Sequence, residues 1–192
     1  MLEPWLDRSE DLSASLWLDE AGALQLLGTS EQVLAPSGLY RGQRGTVDSK
    51  GRVTSGCERD EELRDAAVAV AGRAAREGFF GPCGLDAFGY RAHSGACAFR
   101  PVVEWNARYT LGMVAIGLVK RAHAEICSAF APGPEQRLAF QFALDAPVRG
   151  WPESDSSLRV LRYAERGATV EPALAIALER ATLDERLGED SG

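Results

Sequence analysis

The sequence has 192 residues, of which 45% are apolar and 26% charged, and its formal net charge is −7. That length favours one domain, with or without an appendage, and is enough for a sizeable core. An acidic chain without a basic run argues against a nucleic-acid partner and against an anionic membrane surface. Met1–Trp5 opens acidic with no apolar signal region, and no apolar run approaches spanning length, so a cytoplasmic chain with reduced thiols is expected. Cys57, Cys83, Cys97 and Cys127 form no C-x-x-C pair, which argues against a structural zinc site. Lysine is confined to Lys50 and Lys120.

In chain order, Glu3-Pro4-Trp5-Leu6-Asp7-Arg8 reads as the tail of another element. Strands are expected at Ser13–Asp19, Ala23–Thr29 and Gln32–Ala35, separated by Glu20-Ala21-Gly22 and Pro36-Ser37-Gly38. Ser13, Ser15 and Trp17 alternate with Ala14, Leu16 and Leu18, as in a strand with one packed face. Gly42 to Gly56 is polar and glycine-rich and reads as a loop or ragged strand. Asp60–Glu77 is the clearest helix, with Leu63, Ala67, Val70, Ala71 and Ala74 in helical phase, Asp60 as N-cap and Gly78 as the stop. Two strands follow near Gly84–Tyr90 and Ala98–Asn106, then a helix over Thr110–Cys127. Leu138–Leu144 and Leu158–Tyr163 read as strands, and Pro172–Leu187 as a final helix with proline in its first turn.

The chemistry concentrates on the two central strands. Residues two apart share a strand face, so Arg100, Val102, Glu104 and Asn106 share one, and Phe99, Val103 and Trp105 the other. A hairpin centred on Gly95 sets Asp86 directly opposite Glu104 and Tyr90 opposite Arg100. Two carboxylates so placed repel each other. Mg²⁺ would remove the conflict, since it prefers oxygen donors and is held by one or two carboxylates together with substrate phosphates. Asn106 could add an amide oxygen. By spacing alone, an Asp and a Glu on a hairpin are more often an ordinary solvated face.

Gly81-Pro82-x-Gly84-x-Asp86-Ala87, followed by Arg100-Pro101-x-x-Glu104-x-Asn106-x-Arg108-Tyr109-Thr110-x-Gly112, resembles the C-terminal signature of ATP-grasp enzymes. The resemblance implies an α+β fold: a mainly antiparallel sheet with helices packed on one face, the ATP-grasp C-terminal lobe over residues 1–128 and an extension over 129–192. It implies ATP and Mg²⁺ (or Mn²⁺) as cofactors, with Asp86, Glu104 and Asn106 as metal ligands. Arg100 and Arg108 resemble residues facing the phosphates or an acyl phosphate. Glu3-Pro4-Trp5-Leu6 looks like the family's hinge, where Glu3, Trp5 and Leu6 would border adenine. Asp11 would bind ribose hydroxyls, with Glu10 as a rival.

The family also carries a small lobe before the hinge, with a phosphate-binding lysine and a glycine-rich loop. Neither Lys50 nor Lys120 stands in such a place. The implied function is therefore the nucleotide- and metal-binding half of a carboxylate–amine ligase, inactive alone. Its partner would be a separate chain bearing the other lobe, or a further copy of itself. A non-catalytic interaction module or a truncated relic of the same fold is the alternative. A Ser or Cys hydrolase has little support, because no G-x-S-x-G is present and only His93 and His123 could act as base.

Overall fold

The computed structural model describes residues 6–147, 151–163 and 170–187. In chain order the elements are β1 (Asp7–Leu18), β2 (Leu24–Leu34), β3 (Tyr40–Asp48), β4 (Val53–Thr54), α1 (Asp60–Arg76), β5 (Gly81–Arg91), β6 (Cys97–Asn106), α2 (Leu111–Phe130), β7 (Arg137–Pro147), β8 (Leu158–Arg162), β9 (Val170–Ala177) and α3 (Arg180–Leu187). The residues divide into two units, one formed by the chain up to Gln32 with Ser55–Met113, the other by Val33–Thr54 with the chain from Val114. Within each unit every strand pairing is antiparallel, as the α+β expectation requires. No helix among the described residues is long and apolar enough to cross a membrane.

The first unit has strand order β6-β5-β1-β2. Alternation sends Leu12, Ala14, Leu16 and Leu18 of β1 and Cys83, Leu85 and Ala87 of β5 to one face, where they bury against Leu63, Ala67 and Ala71 of α1. Removing a leucine of this size from water contributes roughly 2 kcal/mol. α1 stops where expected. Gly78 adopts φ +87°, and the amides of Gly78 and Phe79 bond back to the carbonyls of Ala75 and Ala74. Its start differs: Arg59 holds the N-cap position with no side-chain cap bond. The Asp60 carboxylate instead accepts from Thr29 Oγ1 and from Ser55 Oγ at 2.6 Å.

The second unit has strand order β3-β7-β9-β8, with β4 on β3. Phe140, Phe142, Leu158, Leu174, Ile176 and Leu183 are buried within it. Two expectations fail here. The 42–56 segment forms β3 and β4 rather than a loop, because its glycines admit close backbone contact rather than flexibility. A Cβ on Gly42 would lie 1.9 Å from the Phe142 carbonyl oxygen, and one on Gly45 2.5 Å from that of Thr54. The final helix is shorter than Pro172–Leu187. Residues 173–177 are fully buried in β9, paired to β7 on one side and β8 on the other. Burial on both faces erases the period-two pattern, and the small alanines that suit it also suit a helix.

Gly42→Ala tests the close approach. The methyl must push the Phe142 carbonyl out of the ladder, so the unfolding free energy should fall by at least about 2 kcal/mol, above the half a kcal/mol or so typical of surface changes. An unchanged urea midpoint would contradict the packing.

Candidate functional site

The face of the first unit away from α1 is polar. Packing Leu12, Ala14 and Leu16 against the helix commits Asp11, Ser13, Ser15 and Trp17 to the opposite side of β1. Ser13 pairs with Asp86 of β5 and with Ser30 of β2, and Asp86 pairs with Glu104 of β6. The expected opposition of Asp86 and Glu104 is therefore present.

The rest of the β5–β6 register differs. Phe88, not Tyr90, lies opposite Arg100, and Tyr90 lies opposite Ala98, because the register shifts between Asp86 and Phe88. Ala87 there faces Pro101, Val102 and Val103, two more residues than regular pairing allows. The hairpin closes through Ala92–Ala96 with Gly95 at φ +83°, so it is centred one residue earlier than expected, and the bulge restores the pairing at the carboxylates. The bulge also turns Val103 outward, 41% exposed, whereas Phe99 and Trp105 do pack on the α1 side. Trp105 meets Phe79 edge-on, ring centroids 5.9 Å apart.

Asp86 is half-buried and its two carboxylate oxygens have separate partners. Gln32 Nε2 donates to Oδ1 at 2.9 Å, and Asn106 Nδ2 donates to Oδ2 at 2.9 Å. Burial pushes the Asp86 carboxyl above the ordinary aspartate range. The Ser13 hydroxyl opposes that rise, Glu104 adds to it by like charge, and the Asn106 amide and the Arg108 charge work against it. Glu104 is exposed and Asn106 buried.

Two carboxylates and one amide are thus collected on one face. Among the described residues no cluster of three or more His, Cys, Asp or Glu could hold a metal. The donor set is that of a hard cation shared with a ligand's own oxygens, not of an all-protein cage. The conflict at Asp86, buried beside a like charge, is one that such a cation relieves, so these residues fit the group.

Arg108 follows β6, exposed, its charge felt at Asp86 and its Nη1 3.4 Å from the Tyr109 carbonyl. Arg100 is exposed on β6. Asp11 lies on the Asp86 face and pairs with Arg8 at 2.8 Å, while the Arg8 guanidinium stacks 4.3 Å over the Phe88 ring. Glu10 points the other way, packed over Gly89, where a Cβ would lie 2.7 Å from its Oε1. Burial raises its carboxyl, with Glu31 adding to the rise. Leu6 is half-buried ahead of β1, and Glu3 and Trp5 lie outside the described residues. Gln32 and the buried hydroxyls of Ser15 and Ser30, which have no hydrogen-bond partner among the described residues, carry no local signal of a site in the sequence. On β1 the Ser13/Ser15 alternation signals this polar face, as the Glu104/Asn106 alternation does on β6.

No family model matches the sequence, and a search of curated proteins finds no relative. Solved structures do resemble the chain. The ADP complex of purK, N5-carboxyaminoimidazole ribonucleotide synthetase, aligns with TM-score 0.55 and 11% identity over 95% of this chain and 48% of that one. The Staphylococcus aureus N5-carboxyaminoimidazole synthetase with ADP gives 0.54 and 8% over 95% and 50%. Campylobacter jejuni biotin carboxylase with β,γ-ATP gives 0.53 and 12% over 97% and 47%. The chain spans about half the length of these proteins. All are ATP-grasp enzymes, and at such identities the likeness is one of fold.

Glu104→Gln keeps the size of the side chain and removes one of the two opposed charges. Without cation it should stabilise the chain by roughly half a kcal/mol at neutral pH. Burial holds the Asp86 carboxyl above the ordinary aspartate range, and once it is protonated on acidification the repulsion is gone, so this advantage should vanish as pH falls through that range. Unfolding curves of both proteins at several pH values check this. Marked destabilisation at neutral pH would instead make Glu104 a structural partner of an arginine.

Proposed function

Since the chain has the fold of the ATP-grasp C-terminal lobe, we propose that it is the ATP- and Mg²⁺-binding half of a ligase that activates a carboxylate by phosphorylation. The observation that carries this reading is the Asp86–Glu104 pair with Asn106 beside it, on the polar face of a sheet whose other face packs against α1. Asp86, Glu104 and Asn106 hold the cation. Bound there with ATP, it supplies charge neutralisation at the β- and γ-phosphates.

The arginines extend that electrostatic role. Arg108, close enough to influence Asp86, faces the phosphoryl group in transfer, and Arg100 lines the same face from β6. In the reaction, a substrate carboxylate oxygen forms a bond to the γ-phosphorus and the bond to the β-phosphate oxygen breaks, releasing ADP. An amine or another nucleophile then attacks the acyl carbon of the acyl phosphate, losing a proton as phosphate leaves. Asp11, on the same face, receives the ribose, and Glu3, Trp5 and Leu6 border the adenine. Residues 1–128 form this lobe and 129–192 an extension to it.

Positioned positive groups do most of the work in phosphoryl transfer. The lysine and glycine-rich loop of the small lobe are supplied from outside these 192 residues. The chain alone should therefore bind nucleotide weakly and hydrolyse little ATP. The partner is a lobe of that kind, or a further copy of the chain.

Thermal melting tests the reading. A ligand at a hundredfold over its Kd stabilises by about 2.7 kcal/mol, which for a chain of this length raises Tm by roughly 5–10 °C. Mg²⁺ with a non-hydrolysable ATP analogue should produce such a rise, larger than either alone, and Glu104→Gln should blunt it. No joint shift, together with binding of a protein partner, would favour the non-catalytic interaction module.

A further inference from the structure

We propose that Gln32 is a positioning residue for the cation site: it holds one oxygen of Asp86 so that the other is presented to the metal. The inference rests on the metal-binding reading above and extends it to β2, where no site residue was expected.

The geometry of the strands sets the roles apart. Gln32 lies two residues beyond Ser30 on β2. Ser30 pairs with Ser13, and Ser13 with Asp86. Gln32 therefore shares the polar face and reaches Asp86 over β1, donating from Nε2 to Oδ1 at 2.9 Å. Its side chain makes no other hydrogen bond among the described residues. Asp86 Oδ2 is turned the other way, toward β6, where Asn106 Nδ2 donates at 2.9 Å and Glu104 stands opposite.

A carboxylate that ligates a cation through one oxygen has the second free for an orienting hydrogen bond. Only Oδ2 lies on the side of the other two oxygen donors, so it is the ligating atom and Oδ1 the held one. Asn106 and Gln32 then behave differently when a cation arrives. The Asn106 amide must turn over, since it now offers its nitrogen to Asp86 and a cation takes only its oxygen. Gln32 needs no change: the bond it makes without metal is the bond it keeps. An amide also suits this position better than a lysine or arginine. It donates a proton without bringing a positive charge that would compete with the cation for Asp86.

The test is Mn²⁺ affinity in the ADP-saturated chain, read by water-proton relaxation enhancement, which reports protein-bound Mn²⁺. Gln32→Leu removes the donor at similar size and should weaken Mn²⁺ binding by roughly tenfold to a hundredfold, the usual effect of losing an orienting partner. Gln32→Glu keeps the length but replaces the donor by a charged acceptor, and should also weaken binding. Metal-free melting of each variant within a few degrees of the native chain ties the loss to the site. If Gln32→Leu fails to fold, Gln32→Glu carries the test alone. Native affinity in a folded Gln32→Leu, or tighter binding in Gln32→Glu, overturns the proposal, the latter by making residue 32 a metal ligand rather than a donor. If the native chain itself binds no Mn²⁺, the cation site falls and this proposal with it.

Discussion

Two carboxylates face each other across an antiparallel strand pair, and much of the first unit follows from how that placement is enforced. Asp86 cannot turn away from Glu104 without turning Leu85 and Ala87 out of the core, because strand side chains alternate. α1 thus fixes the chemistry of a face it does not touch. Its buried Leu63, Ala67 and Ala71 hold three residues of β5, and the residue between Leu85 and Ala87 has only the polar side to occupy. Like charge retained against a register so strongly specified is a feature whose cost is tolerated by the fold, not an accident of the surface.

The same carboxylate shows how a buried charge is kept usable. Amides and a hydroxyl surround Asp86, while the positive charge that acts on it is that of exposed Arg108. A direct ion pair would stabilise the metal-free state and leave the cation to break it. Neutral donors satisfy the oxygens more gently, so the site rests in a state that a doubly charged ion can improve on. Ser15 and Ser30, buried on this face without partners among the described residues, add further unspent hydrogen-bonding capacity.

How much of this was legible in the sequence depended on whether a feature was local. The alternation around Ser13–Leu18, the helical phase of Leu63–Ala74 and the Asp86–Glu104 opposition could be read from neighbouring residues. The wider hairpin register could not, because Pro101 signals a break in regular pairing without fixing how many residues the bulge adds. The carboxylate pairing is legible all the same, because the displaced turn and the bulge compensate. Gly42 and Gly45 look like loop residues until a strand nearly a hundred positions later packs against them. The alanines of β9 carry no period because both faces are covered. Gln32 meets Asp86 across 54 positions of sequence, and nothing near either residue announces the contact.

β6 is the outermost strand of the β6-β5-β1-β2 order, so one row of its backbone amides and carbonyls has no neighbouring strand among the described residues. Such an edge ordinarily invites another chain to add itself to the sheet. Here the middle of the strand is the bulge, and Pro101 within it has no amide proton to give. A second strand laid along β6 would lose register halfway and find a donor missing. The irregularity that aligns Glu104 with Asp86 therefore also guards the margin of the sheet against aggregation, and a partner must engage side chains rather than lengthen the ladder.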